Sequence, residues 1–321
     1  MLSETIVAEA LVDHAVDWVD RIYSPLVTLW VFLGQVLSQD HSCRAAVARL
    51  IAHRVSRGQC PCSAETGAYC QARKRLPEPF FSDVARQTGH ALDDAAQKQW
   101  LWKGRRVLVY DGSTVSMPDT PQNQQAYPQH PEQKPGLGFP LARMAAFFSL
   151  SCGAVLDLAI CSNAGKGHSE LGMLRQLWDN LRHGDVMVAD RYMCAYYEIH
   201  SLQQRGVDTV TRIHHCRKVD FRRGQRLGKE DHIVQWSRPN RLRTVDRQTF
   251  KSLPDQLTIR ETRVRIWQPG FRCRNMIIVS TLLDAEAVTA EDLAELYRAR
   301  WNAEVSQAEC TSRTHLYQLA A

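Results

Sequence analysis

RRVLVYDGS (residues 105–113) decides how this chain is read. The run is β-branched and apolar, and it ends in Asp111 with Gly112 as punctuation, so it reads as a strand stopping at the aspartate. The next stretch, SMPDTPQNQQAYPQHPEQKPGLG (116–138), is too rich in Pro, Gln and Gly to be helix or strand throughout. FPLARMAAFFSL (139–150) and AVLDLAICS (154–162) then read as two strands turning at Ser151 to Gly153. Three successive strands predict an antiparallel meander.

Outward from this point the period changes. HSELGMLRQLWDNL (168–181) is an amphipathic helix, and GDVMVADRY (184–192) is a buried strand ending in Asp190. AYYEIHSLQQRG (195–206) is a second helix with a glycine stop, followed by the strand VDTVTRI (207–213). Three strands, helix, strand, helix, strand is the order of a ribonuclease-H-like α/β domain. Residues 214–275 break that rhythm with short alternating pieces, DHIVQW and LTIRETRVRIW among them, and predict a β-rich insertion. NMIIVSTLL (275–283) returns to a strand. Residues 1–100 look helical throughout, with VTLWVFLGQVLSQ (27–39) and HSCRAAVARLIAHRVSRG (41–58) at helical spacing. The expected fold class is therefore α/β: a helical N-terminal region over 1–100, a ribonuclease-H-like domain over 105–213 and 276–321, and the insertion between.

Composition excludes several classes. The 321 residues, 44% apolar and 23% charged, describe an ordinary globular protein of one to three domains. No run of 18 apolar residues predicts a membrane helix, and the acidic start is unlike a secretory signal. The expected location is cytoplasmic, and the ten scattered cysteines suit reduced thiols there. Cys60, Cys62 and Cys70, with His53 nearby, match a zinc site only weakly. The net charge of +6 hides an asymmetry, because residues 212–274 hold 17 Lys and Arg against six Asp and Glu. A +11 segment within a chain that otherwise carries −5 predicts a polyanionic partner, nucleic acid before others, or else a solvated basic face.

LAELYRARWNAE (293–304) carries the third acidic group. Thr289 and Asp292 form a capping box, and Tyr297, Arg300 and Glu304 fall at i, i+3 and i+7 on one helical face. In the fold named above the strands ending in Asp111 and Asp190 lie side by side, and the helix after the insertion delivers Glu304 to the same place. Three carboxylates around one concavity can hold two hard divalent cations about 4 Å apart. Turns favour Asp on their own account, and Asp119 and Asp157 are of that kind. His168 and Glu170 invite a metal role but read instead as the start of a helix, Trp236 and Trp267 as core rather than base-stacking, and His214 and His215 as exposed or facing nucleic acid rather than as ligands.

DGST (111–114), ADRY (189–192) and the Tyr-x2-Arg-x3-Glu spacing (297–304) resemble the DDE transposases of bacterial insertion sequences, more narrowly the IS-four family. The loop DGSTVSMPDTPQNQQAYPQ adds to the likeness, as does TGAYCQAR (66–73). The resemblance implies that Asp111, Asp190 and Glu304 form the metal-binding triad, holding two Mg2+ (or Mn2+) ions. It implies that Tyr297 and Arg300 contact phosphates at the element's ends, that Trp301 stacks on DNA, and that the insertion, through Arg217, Lys218, Arg222 and Arg223 with Arg212 just before it, supplies backbone contacts. The implied reaction is nicking at terminal inverted repeats followed by attack of a 3′-hydroxyl on target double-stranded DNA. The implied state is a homodimer on paired ends.

One departure stands out. The family pattern continues from the glutamate with a Lys seven residues later, where this chain has Thr311, and VSQAECTSRTHLYQLAA (305–321) lacks a basic amphipathic character. The expectation is truncation or a frameshift after Glu304, with activity impaired. Three rivals are another ribonuclease-H-like nuclease, a non-catalytic DNA-binding remnant that blocks an intact enzyme, and a gene fragment that makes no stable protein.

Overall fold

A computed structural model describes residues 3–19, 21–134, 136–163, 169–242, 244–266 and 274–300. The described chain divides into two compact units. One holds the residues up to Ala95 together with Val115–Ala142, and the other holds Ala96–Thr114 and the residues from Arg143 onward.

The first unit contains α1 (Glu4–Asp13), α2 (Pro25–Leu37), α3 (Cys43–Ser56), α4 (Gly67–Arg75) and α5 (Glu78–Asp94). Ser3, Ser24 and Ser42 cap the first three, each accepting a backbone N–H three residues on. Their apolar faces bury Val7, Leu11, Leu29, Phe80 and Val84 in one cluster and Val31, Val47, Leu50 and Tyr69 in another. A buried amide ties three helices together. Gln35 of α2 accepts from the Tyr69 hydroxyl of α4 at 2.6 Å and donates to the His41 carbonyl at 2.6 Å, just before α3. The Pro/Gln/Gly-rich loop, expected to be irregular, holds one short helix, α6 (Pro121–Ala126), capped by Thr120.

The second unit is built on a sheet of nine strands: β1 (Val107–Ser116), β2 (Leu141–Ser149), β3 (Val155–Ser162), β4 (Val186–Ala189), β5 (Asp208–Arg212), β6 (Gln225–Gly228), β7 (Asp231–Ser237), β8 (Gln256–Ile266) and β9 (Arg274–Ser280). Their spatial order is β3-β2-β1-β4-β5-β9-β8-β7-β6. Leu150, just past β2, donates to Val107 at the start of β1, and Ser149 donates to Ala154 across a tight turn. The first three strands therefore run antiparallel in sequence, as the meander predicts. β1, β4 and β5 are mutually parallel, with α8 (Tyr196–Gln204) connecting β4 to β5, while the short α9 (Arg247–Ser252) lies between β7 and β8 in the chain. The pieces expected as an insertion continue the same sheet, since β9 pairs antiparallel with both β5 and β8.

The parallel strands are covered on both faces, which is why they read as continuous apolar runs. Val107, Val109, Val186 and Val188 pack beneath α10 (290–300), against Leu293, Leu296 and Tyr297. Leu108, Tyr110, Met187 and Ala189 face α7 (Glu170–Gln176), against Leu171 and Leu174. The alternation of two per strand thus sorts one apolar run between two helical layers. The predicted helix over 168–181 is shorter than its apolar pattern, ending in a 3-10 turn at Trp178–Asn180. No described helix is long and apolar enough to cross a membrane.

Buried charge anchors the far strands. Arg260 on β8 is fully buried and bonds Asp231 of β7 through Nε at 2.9 Å and Nη2 at 2.6 Å. Its Nη1 donates to the Val288 carbonyl at 2.6 Å, in the segment entering α10. Removing one partner leaves an uncompensated buried charge, so Asp231→Ala is expected to cost about 3–5 kcal/mol in urea denaturation. The paired change Arg260→Met with Asp231→Leu should recover most of that loss. In the first unit, Gln35→Leu strands the Tyr69 hydroxyl and the His41 carbonyl, and its expected cost by the same method is about 1–3 kcal/mol.

Candidate active site

β1 and β4 pair in register through Val107↔Val186 to Tyr110↔Ala189. Asp111 follows on β1 and Asp190 stands just past the end of β4, so the register brings the two residues to the same level, one interstrand spacing of about 4.8 Å apart in the backbone. Asp190 then adopts an extended conformation ahead of the 3-10 turn Arg191–Met193, and its carboxylate makes no capping bond to that turn.

β1 does not stop at Asp111. It continues to Ser116, and Gly112 is an extended strand residue rather than a turn. A β-carbon there would stand 3.4 Å from Glu170 Cγ and 3.4 Å from the Met144 carbonyl oxygen, which places Glu170 across from this point of the strand. Glu170 is the first residue of α7, capped by Ser169, and the Tyr110 hydroxyl donates to its carbonyl at 2.6 Å. Its side chain therefore lies beside the strand end that bears Asp111. Burial pushes the Glu170 carboxyl above the usual range; Arg143 opposes this and Asp190 adds to it.

From the opposite layer, α10 presents Tyr297 and Arg300. The capping box forms as predicted, with the Thr289 hydroxyl accepting from Asp292 N–H at 3.1 Å and Asp292 accepting from Thr289 N–H at 2.8 Å. Lys103 fixes the same helix start through Asp292 at 2.8 Å. Arg300, 4% exposed, reaches Asp111 at 3.8 Å, with its guanidinium 5.2 Å from the Tyr297 ring centre. Tyr297 is 1% exposed, and burial raises its hydroxyl pKa to about 12, with Arg300 and Arg212 opposing and Asp190 adding. Trp301, Glu304 and Thr311 lie outside the described residues, as do His168 and Trp267.

The basic residues singled out from sequence behave differently from one another. Arg212 ends β5 and, with Arg191 and Arg263, lines a cleft of about 280 Å³. Arg217 is stacked over Trp236 at 3.6 Å, and burial holds its pKa below the usual arginine value. Trp236 is core, as expected, with Nε1 donating to buried Glu261 at 2.7 Å. Arg222 and Arg223 are exposed and pair with Asp220 at 2.8 and 3.5 Å, while Lys218 is exposed. Sequence reading passed over Glu170, Arg191 and Arg263 as site residues. For Glu170 the sequence did carry a signal, its place beside His168 in GKGHSEL, but a helix start accounts for that equally well. Cys60, Cys62, Cys70 and His53 do not gather as a metal cluster, and the Cys70 thiol lies 3.8 Å from Cys43 instead.

A large mixed sheet with helices, two aspartates abreast on neighbouring parallel strands and an arginine from a following helix define an α/β protein with an acidic site at its strand ends. The chain belongs to the transposase DDE domain family, whose match covers residues 102–318. It is 24% identical over 289 residues to the transposase InsG for insertion sequence element IS4 of Escherichia coli (strain K12). That alignment takes in 88% of this chain, and the chain spans 60% of the length of that relative.

The raised Glu170 carboxyl has a signed consequence. Ionising it costs the folded state free energy that the unfolded chain does not pay, so its contribution to stability falls as pH rises from its unfolded to its folded pKa. Glu170→Gln is expected to remove that part of the pH dependence and to raise the thermal midpoint at neutral pH, read from melts between acid and neutral pH.

Proposed function

We propose that this chain is the catalytic part of a DNA transposase that cuts at the terminal inverted repeats of an insertion sequence and joins the freed 3′-hydroxyl to target DNA. The observation that carries the reading is the β1–β4 register, which sets Asp111 and Asp190 abreast with Arg300 against Asp111. Family membership agrees with it. The order of three antiparallel strands followed by parallel β4 and β5 supports a ribonuclease-H-like domain over 105–213 and 276–321, with 214–275 as its basic β-rich insertion and 1–100 as a helical region contacting DNA.

The donors fit hard cations, since carboxylate oxygens are what Mg2+ and Mn2+ prefer. Asp111 and Asp190 would hold them, with Glu304 as the third ligand by its spacing from Tyr297 and Arg300. Bound there, the two cations would activate a water or 3′-hydroxyl and take up charge on the leaving oxygen. The chain's own groups do the rest. Arg300 sets its guanidinium against Asp111, where its charge would favour a bound phosphate, and Tyr297 holds Arg300 through the contact of ring and guanidinium. The cleft of Arg191, Arg212 and Arg263 gives a second phosphate-binding surface beside Asp190, and Lys218, Arg222 and Arg223 extend it across the insertion. Trp301 would stack on a base near the cut. A homodimer on paired ends, working on the nucleoid, completes the reading.

The test uses a labelled duplex carrying the DNA that flanks this gene, incubated with the protein and Mg2+ or Mn2+. The expected result is metal-dependent nicking that falls at least about a hundredfold in Asp190→Asn, the scale of several kcal/mol of lost transition-state stabilisation. Duplex affinity should persist in that variant and decline steeply with added salt. Cleavage unchanged in Asp190→Asn would sink the assignment of the site. Specific binding without cleavage under either metal would select the non-catalytic DNA-binding reading.

A further inference from the structure

The bend that leaves β5 carries three metal-ligating side chains in succession, His214, His215 and Cys216. Arg217 N–H donates to the His214 carbonyl at 3.0 Å, closing a four-residue turn that fans the three side chains from one point. One ligand atom from each lies within 4.8 Å of the other two, the single such grouping of His, Cys, Asp or Glu among the described residues. The two imidazole rings stand 4.2 Å apart at an interplanar angle of 34°. His215 and Cys216 are exposed and His214 is half-buried, so a cation would reach them without rearranging the core.

Two nitrogens and a sulfur are the donor set of a borderline-soft cation, unlike the all-oxygen pair at the strand ends. Zinc bonds of about 2.0–2.3 Å put tetrahedral donors roughly 3.3–3.6 Å apart, a contraction that side-chain rotation in an exposed turn can supply. The electrostatics cut both ways. Arg191 and Arg217 repel any cation, and burial first, then His215, Arg217 and Arg191, hold the His214 imidazole below its usual pKa. The Arg217 guanidinium is committed to the Trp236 ring, and a thiolate ligand would offset one charge of the ion.

We propose that His214, His215 and Cys216 form a binding site for a divalent cation of the zinc class, with three protein ligands and an open fourth position. It is separate from the carboxylate pair and does not depend on the transposase reading. Because His215 also lines the cleft of Arg191, Arg212 and Arg263, the ion would add positive charge at the rim of that cleft.

The test is a Co2+ titration of the full chain followed by displacement with Zn2+. One equivalent should give a thiolate-to-cobalt charge-transfer band that Zn2+ abolishes, distinct from Co2+ held without such a band by the strand-end carboxylates. Cys216→Ser should remove the band, and His215→Ala should weaken binding at least tenfold. Cys62→Ser should leave the band and its affinity unchanged. A titration without a thiolate band, or a band that survives Cys216→Ser, overturns the proposal. Both substituted positions are exposed, so a folding defect is not expected to confuse the result.

Discussion

The pairing of β1 with β4 is the constraint from which the site follows. Both strands are buried on two faces, so their side chains must alternate between the α10 layer and the α7 layer. A slip of one residue would send Val107 and Val109 to the wrong helix. Packing therefore pins the register, and the register sets Asp111 level with Asp190. Two arginines reinforce it at the opposite end of the strands. Arg105 donates to the Gly184 and Asp185 carbonyls and to Asp208, and Arg106 donates to Asp185 at 2.6 Å. The beginnings of three parallel strands are thus bound by charge and their middles by apolar burial, leaving the acidic ends to the site.

The helix that answers those aspartates is seated by polar contacts as well as by Leu293 and Leu296. Arg260 bridges β7, β8 and the segment before α10, while Lys103 and the Thr289–Asp292 box fix where the helix begins. Each is a directional bond, so together they set the rotation of α10 and with it the placing of Tyr297 and Arg300. The basic strands are consequently more than an appendage. They share the sheet through β9, and the buried Arg260 gives them a direct mechanical tie to the helix that carries the Arg300 contact.

Much of this was legible in the chain because periodicity and capping are local. Strands, helices and the capping box are recovered close to their expected places, and both aspartates follow apolar runs. Glu170 was not legible, because at the start of a helix an acid is explained by capping and dipole alone, and only the approach through side-chain-free Gly112 shows what lies across from it. Gly112 itself reads as punctuation, yet the strand passes through it. Arg191 and Arg263 stand 72 residues apart and share a cleft only because of how β5, β8 and β9 are ordered. His214, His215 and Cys216 are neighbours in sequence, but adjacency says nothing about donor distance until the turn is seen.

By itself the sequence determined the kind of element at each place, the acidic and basic groups available, and the likeness to a transposase family. Those depend on interactions within a few residues or on composition. Tertiary structure alone decided that Asp111 faces Arg300, that Glu170 sits beside Gly112, and that Arg217 spends its cation on Trp236 rather than standing open to solvent. The physical reason is that these contacts join residues far apart in the chain. Their distances are set by register and helix rotation, which the packing of the whole sheet fixes and no local pattern encodes.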